Sequence, residues 1–194
     1  IIYAILAAAL YAINIPLSKL LLNHIPPTLM AGFLYLGAGT GMFLLSIIHK
    51  ENDETQKLTK AELPYTLGMI VLDIAAPIFL MFGLIMTNSA NASLLNNFEI
   101  VATSIIALVC FKEIISPKLW TAILFITVST IILSFEDMSA FAFSKGSLLI
   151  LCACVCWGFE NNCTRKLSSK SSTEIVVLKG LFSGMGSLII GLII

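Results

Sequence analysis

The chain has 194 residues, 58% of them hydrophobic and 11% charged, with a mean hydropathy of +1.00. Soluble domains carry roughly 25% charged residues, so an ordinary globular domain and a disordered chain are excluded. Eleven basic and eleven acidic residues cancel, leaving no net field to gather nucleic acid, and the apolar runs are continuous rather than alternating, which excludes a transmembrane β-barrel.

The expected class is therefore all-α, a polytopic membrane helix bundle. A spanning helix needs about 20 predominantly apolar residues. Seven stretches qualify, near 1–22, 27–48, 64–87, 90–111, 117–135, 146–166 and 174–194. No basic n-region and no small-residue cleavage site precede Tyr3, so the first stretch is expected to span rather than to act as a signal peptide. Pro26-Pro27 breaks it from the second. The polar run His49–Glu62, read as a solvated loop, separates the second from the third. Pro64 suits the first turn of the third helix, where a missing N–H is no loss. Asn88-Ser89-Ala90-Asn91 reads as a tight turn before the fourth. Ser116-Pro117 restarts the chain for the fifth, and Ser168–Thr173 reads as a polar loop before the seventh. Both ends of the chain lie in apolar runs, and the expectation is a fragment of a longer protein, cut within membrane segments.

Lysine and arginine set the orientation. One set of loops holds Lys50, Lys57, Lys60, Lys112, Lys118, Arg165, Lys166 and Lys170; the other holds Lys145. The first set is expected in the cytoplasm, together with the N-terminus, in a bacterial inner membrane.

The sixth and seventh stretches match the first and second at an offset of 146. Tyr11-Ala12 falls on Trp157-Gly158, Asn14 on Glu160, Ser18 on Thr164, Lys19 on Arg165, Thr28 on Glu174, and Gly37/Gly41 on Ser183/Ser187. Five helices separate the start of one copy from the start of the next. An odd number makes the second copy enter the membrane from the opposite side, and an inverted repeat is a transporter architecture. Leu10-Tyr11-Ala12-Ile13-Asn14 with Lys19, Trp157-Gly158 with Arg165-Lys166, and Phe111-Lys112-Glu113 before Ser116-Pro117 resemble the drug/metabolite transporter superfamily, EamA type. At Lys112 the family usually has Gly. The resemblance implies ten helices as two inverted five-helix repeats. Residues 1–144 would be the first repeat and 145–194 the first two helices of the second. It also implies the movement of small metabolites, amino acids or drugs, often outward.

Ionisable groups inside spans are costly and default to functional candidates. Asp73, Glu99 and Glu160 qualify. Asn96, Glu99 and Thr103 share one helical face, as do Trp157, Glu160, Asn161 and Thr164. Glu99 is a candidate to bind an amine or carry a coupling proton, or else to pin two helices. Glu160 is expected to serve the site, to pair with Arg165 or to sit at the interface. Trp157 would stack on a cationic or aromatic substrate, or anchor at headgroup depth. Asp73 precedes Pro77 by one turn, a place for a kink and an ion site. Asn97 and Asn14 complete the expected cavity lining. Lys19 is a candidate to neutralise one of the carboxylates, and both Lys19 and Lys179 are otherwise expected to snorkel to the nearest interface. Gly37 to Gly41, and Gly180 with Gly184, are read as packing surfaces.

Cys110, Cys152, Cys154, Cys156 and Cys163 show no zinc-like spacing and are read as small apolar packing groups. No phosphate-binding loop, nucleophile elbow or His-Glu-x-x-His motif occurs, so no cofactor or catalytic residue is expected. The expected function is a secondary transporter working by alternating access. Its expected partners are a small-molecule substrate, the bilayer and a coupling proton, with no nucleic acid. The rival readings are an intramembrane structural or sensory subunit and an intramembrane enzyme on lipid-linked substrates.

Overall fold

The computed structural model describes residues 2–48, 58–137 and 142–193. Most of the polar run from His49, with Lys50 and Lys57, lies outside the described residues. The chain is a helical bundle in the order α1 (Ile2–Leu21), α2 (Pro27–Ile48), α3 (Leu63–Met86), α4 (Ser89–Leu95), α5 (Phe98–Phe111), α6 (Pro117–Ser134), α7 (Lys145–Lys166), α8 (Ser172–Leu178) and α9 (Gly184–Ile193). A π-helical turn, Lys179–Ser183, joins α8 to α9. A short antiparallel pair, β1 (Phe135–Asp137) with β2 (Ala142–Phe143), lies between α6 and α7 and pairs Phe135 with Phe143.

Among the described residues, five segments are long and apolar enough to cross a membrane: Pro27–Ile48, Leu63–Met86, Ser89–Phe111, Lys145–Lys166 and Ser172–Ile193. The other two are apolar over shorter stretches, Ile5–Leu21 and Pro117–Ile132. The segment limits follow from local chemistry. Pro27 and Pro117 open α2 and α6, and Pro64 lies in the first turn of α3, each at a place where the missing N–H has no partner to lose. Ser144 caps α7 by accepting from the Ser147 N–H at 3.4 Å, and Ser171 does the same for the Glu174 N–H at 3.3 Å. Lys112 ends α5 in the left-handed conformation, φ 56°, which explains why glycine suits this junction.

Two details correct the sequence reading. Asn88 to Asn91 is not a free turn. The Asn88 side chain accepts from the Asn91 N–H at 2.8 Å and caps α4, which has already begun at Ser89. A polar cluster that can satisfy the first free N–H groups starts a helix as readily as it breaks one. The second correction concerns glycine. A Cβ on Gly37 or Gly41 would meet nothing within 4 Å, whereas one on Gly39 would lie 2.6 Å from the Gly180 carbonyl carbon. The packing reading therefore holds at Gly39 and Gly180, where α2 crosses the π turn, and at Gly184 on α9, which meets Leu36, but not at Gly37 or Gly41.

Helices α3 and α7 form the centre. Glycine again sets their approach: a Cβ on Gly83 would lie 2.8 Å from the Gly146 carbonyl oxygen, and one on Gly158 would lie 2.9 Å from Ala102 Cβ on α5. Without a hydrophobic drive between helices in lipid, such small-residue crossings provide the packing. Met81, Leu84, Leu95, Ile150, Ala153 and Cys154 are buried together there. Large apolar residues of α1 and α6, such as Ile5, Leu10, Leu124 and Phe125, are exposed at the periphery, as membrane-facing positions require.

Candidate functional site

A cavity of about 390 Å³ opens between the helices. Asp73, Pro77, Leu80 and Met81 reach it from α3, Tyr35 from α2, Trp157, Glu160 and Asn161 from α7, Glu99 from α5, Tyr11 and Asn14 from α1, and Lys179 from the π turn. The spacing of Trp157, Glu160 and Asn161 puts all three on one face of α7, and that face turns inward. Pro77 adds a backbone feature. It removes the hydrogen bond that residue 77 would give to the Asp73 carbonyl one turn earlier.

At the centre, Lys179 Nζ lies 2.9 Å from Glu160 Oε1 and 3.2 Å from Asp73 Oδ2. Both carboxylates are buried. Tyr35 donates its hydroxyl to Asp73 Oδ1 at 2.9 Å and accepts from Trp157 Nε1 at 3.2 Å. Thr164 donates to Glu160. Asp73 Oδ2 has the ion pair but no hydrogen bond of good angle. The result is a chain of polar side chains, Trp157, Tyr35, Asp73, Lys179, Glu160 and Thr164, inside an otherwise apolar bundle. Such a network is tolerable in a membrane because each carboxylate has the lysine and a hydroxyl donor as partners and the cluster faces a cavity rather than lipid.

Glu99 stands apart from that network. Asn161 donates to it at 2.8 Å and to Thr103 Oγ1 at 3.2 Å. Asn96 is buried and donates to the Tyr11 hydroxyl at 3.0 Å. Ser18 donates to Asn14 at 3.3 Å. Thr103 lies next door, with Asn161, Asn162, Glu113 and Arg165, around a smaller cavity of about 150 Å³.

Several expectations change at this point. Asn97 does not reach the cavity. It is exposed, donates to the Ser93 and Leu94 carbonyls, and lines an outer depression with Phe125 and Ser129. One residue past Asn96 is about 100° around the helix, which carries it off the Asn96–Glu99–Thr103 face. Glu160 does not pair with Arg165; Arg165 pairs with Glu113 instead. Lys179 does not snorkel; it points into the cavity. Lys19 donates to the carbonyls of Leu84, Ile85 and Thr87, closing the end of α3, where free carbonyls attract a cation. Lys179, on the π turn next to the Gly180 crossing, turns inward to its two carboxylate partners. Lys179 and Tyr35 are the site residues that sequence reasoning missed. An intramembrane cation matched against three intramembrane carboxylates was the available signal for the first; nothing in the sequence marked Tyr35.

Outside the spans, Glu62 accepts from the Thr59 N–H and hydroxyl, both at 2.6 Å, and pairs with Lys170 at 2.9 Å. These partners hold its carboxyl well below the ordinary range, at about 2. Among the described residues, no group of three metal-ligating side chains comes together.

Comparison with known proteins gives three results. Residues 1–135 match the model of the EamA-like transporter family. A protein of Methanothermobacter thermautotrophicus described as an uncharacterized transporter is 23% identical over 201 residues, covering 96% of this chain and 58% of that protein. The chain thus spans less than two thirds of that relative. No solved structure matches.

Proposed function

From the premise that this chain belongs to the EamA-like transporter family and is a multi-pass membrane protein, we propose that its central cavity is the transport site. The reading is a secondary transporter that moves a small metabolite of amino-acid-like size outward across a cell membrane. The observation that carries it is the meeting of Asp73, Glu99, Glu160 and Lys179, drawn from four segments, at one cavity inside apolar helices. Intramembrane charges that line a cavity mark a substrate or ion path. The volume falls within the range of small-molecule sites.

In this reading residues 1–144 and 145–194 belong to two inverted repeats that rock about the cavity. Asn14 and Glu160, equivalent in the 146-residue register, line it from α1 and α7. The loops rich in lysine and arginine face the cytoplasm, as does the N-terminus, in the inner membrane. Glu99 carries the coupling proton. The chemistry is transport rather than catalysis.

The test compares cells expressing the full-length protein with cells expressing Glu99→Gln and Asp73→Asn at equal membrane abundance. A metabolite that redistributes across the membrane only with the unaltered protein is the expected result. Redistribution unaffected by both substitutions rules the cavity out. Transport that keeps its pH dependence in Glu99→Gln rules out Glu99 as the proton carrier.

A further inference from the structure

The charges around the cavity are unequal. Three carboxylates, Asp73, Glu99 and Glu160, share it with one ammonium, Lys179. Both ion pairs of Lys179 are internal, to Glu160 at 2.9 Å and to Asp73 at 3.2 Å. Glu99 is left with the neutral Asn161 amide at 2.8 Å, and no ion pair joins it to a cation among the described residues. An ionised carboxylate out of bulk water is costly without a counter-charge. A carboxylate also accepts several hydrogen bonds, so one amide donor leaves acceptor capacity open to the cavity.

Resting on the reading of this cavity as the transport site, we propose that it selects a protonated organic amine with no free carboxylate, and that Glu99 is its counter-ion. The surroundings of Glu99 fit this class. Tyr11, Tyr35 and Trp157 line the same cavity, and aromatic groups attract an ammonium. The Tyr35 hydroxyl is committed to Asp73 and the Trp157 indole N–H to Tyr35, which leaves the Tyr11 hydroxyl as the uncommitted donor among these three aromatic groups. A substrate carboxylate would have to compete with Asp73 and Glu160 for Lys179. No second lysine and no arginine lines the cavity among the described residues. A zwitterion would therefore gain at Glu99 and lose at Lys179, while an amine without a carboxylate would only gain.

Three probes of similar size separate these cases: 2-phenylethylamine, phenylalanine and 3-phenylpropionate. Binding is measured on the full-length protein in lipid nanodiscs at fixed pH and salt, with melting temperature as the folding control. The amine is expected to bind about tenfold or more tighter than the other two, as a charge-assisted contact implies. Glu99→Gln is expected to weaken the amine by about tenfold, and Glu99→Asp to keep the order of preference should the glutamine variant not fold. Equal or tighter binding of phenylalanine or 3-phenylpropionate overturns the amine class; if Trp157→Ala abolishes that binding, the cavity remains the binding site. Amine binding that neither Glu99→Gln nor Trp157→Ala alters overturns the cavity reading as well. Failure of all three probes to bind overturns the amine class.

Discussion

Lys179 holds the largest consequences of any single residue. Its ammonium lies between two buried carboxylates, so its removal leaves two like charges facing each other in the bundle. Breaking a buried pair from one side costs several kcal/mol, because the other partner stays buried and uncompensated. Lys179→Met is expected to destabilise the protein by about 3 kcal/mol, toward the lower end of that range because the lysine is partly exposed. The combined variant Lys179→Met with Asp73→Asn and Glu160→Gln is expected to recover a large part of the loss, since neutral groups of similar shape replace the whole cluster. Equilibrium unfolding in detergent measures both, and a combined loss equal to the sum of the single losses would rule out the coupling. The same residue shows how much of the site was legible. The three carboxylates were visible as charges inside apolar runs. The direction of Lys179 was not, because a long flexible side chain reaches an interface from most places on a helix, and only the π turn fixes where it points.

At the scale of elements, the crossing of α2 with the last span is decided by which small residues face each other. Gly39 meets the backbone of Gly180, and Gly41 meets open space. Gly39→Val is therefore expected to cost about 2–3 kcal/mol by forcing the helices apart, whereas Gly41→Val is expected to stay within about 0.5 kcal/mol. Similar losses for both would mean that the crossing runs elsewhere. Helix limits were mostly readable, because Pro27, Pro64 and Pro117 punctuate the chain where the helices begin. Asn88 misled for a physical reason: the same side chain that suits a turn also caps a helix. The pattern Gly37/Gly41 misled because spacing gives a face but not the face that meets a neighbour. Asn97 lies two residues before Glu99 and was grouped with it, yet helical geometry turns it to the outside.

For the whole molecule, two ion pairs tie the later helices to the earlier ones at the same end of the bundle. Arg165 at the end of α7 reaches Glu113 after α5, and Lys170 before α8 reaches Glu62 before α3. The Glu62 contacts are pH-dependent. The hydrogen bonds from Thr59 first, and Lys170 after them, hold its carboxyl down at about 2 rather than 4.5, so the unfolded chain takes up a proton first as pH falls. The stability these contacts contribute together is then present above about pH 4.5 and lost as pH falls toward 2. The melting-temperature difference between the unaltered protein and Glu62→Gln is expected to be constant above about pH 5 and to shrink toward pH 2; a difference that grows on acidification would contradict it. The sequence by itself determined the membrane class, the helical segments and the presence of costly intramembrane carboxylates, because hydropathy, proline punctuation and buried charge are local properties of a chain in lipid. Only the tertiary structure decided that Asp73, Glu160 and Lys179 form one cluster, that Glu99 stands beside it with a neutral partner, and that Tyr35 joins them. Those relations depend on helix rotation and on glycine crossings between segments far apart in the sequence, and no local pattern encodes which faces meet.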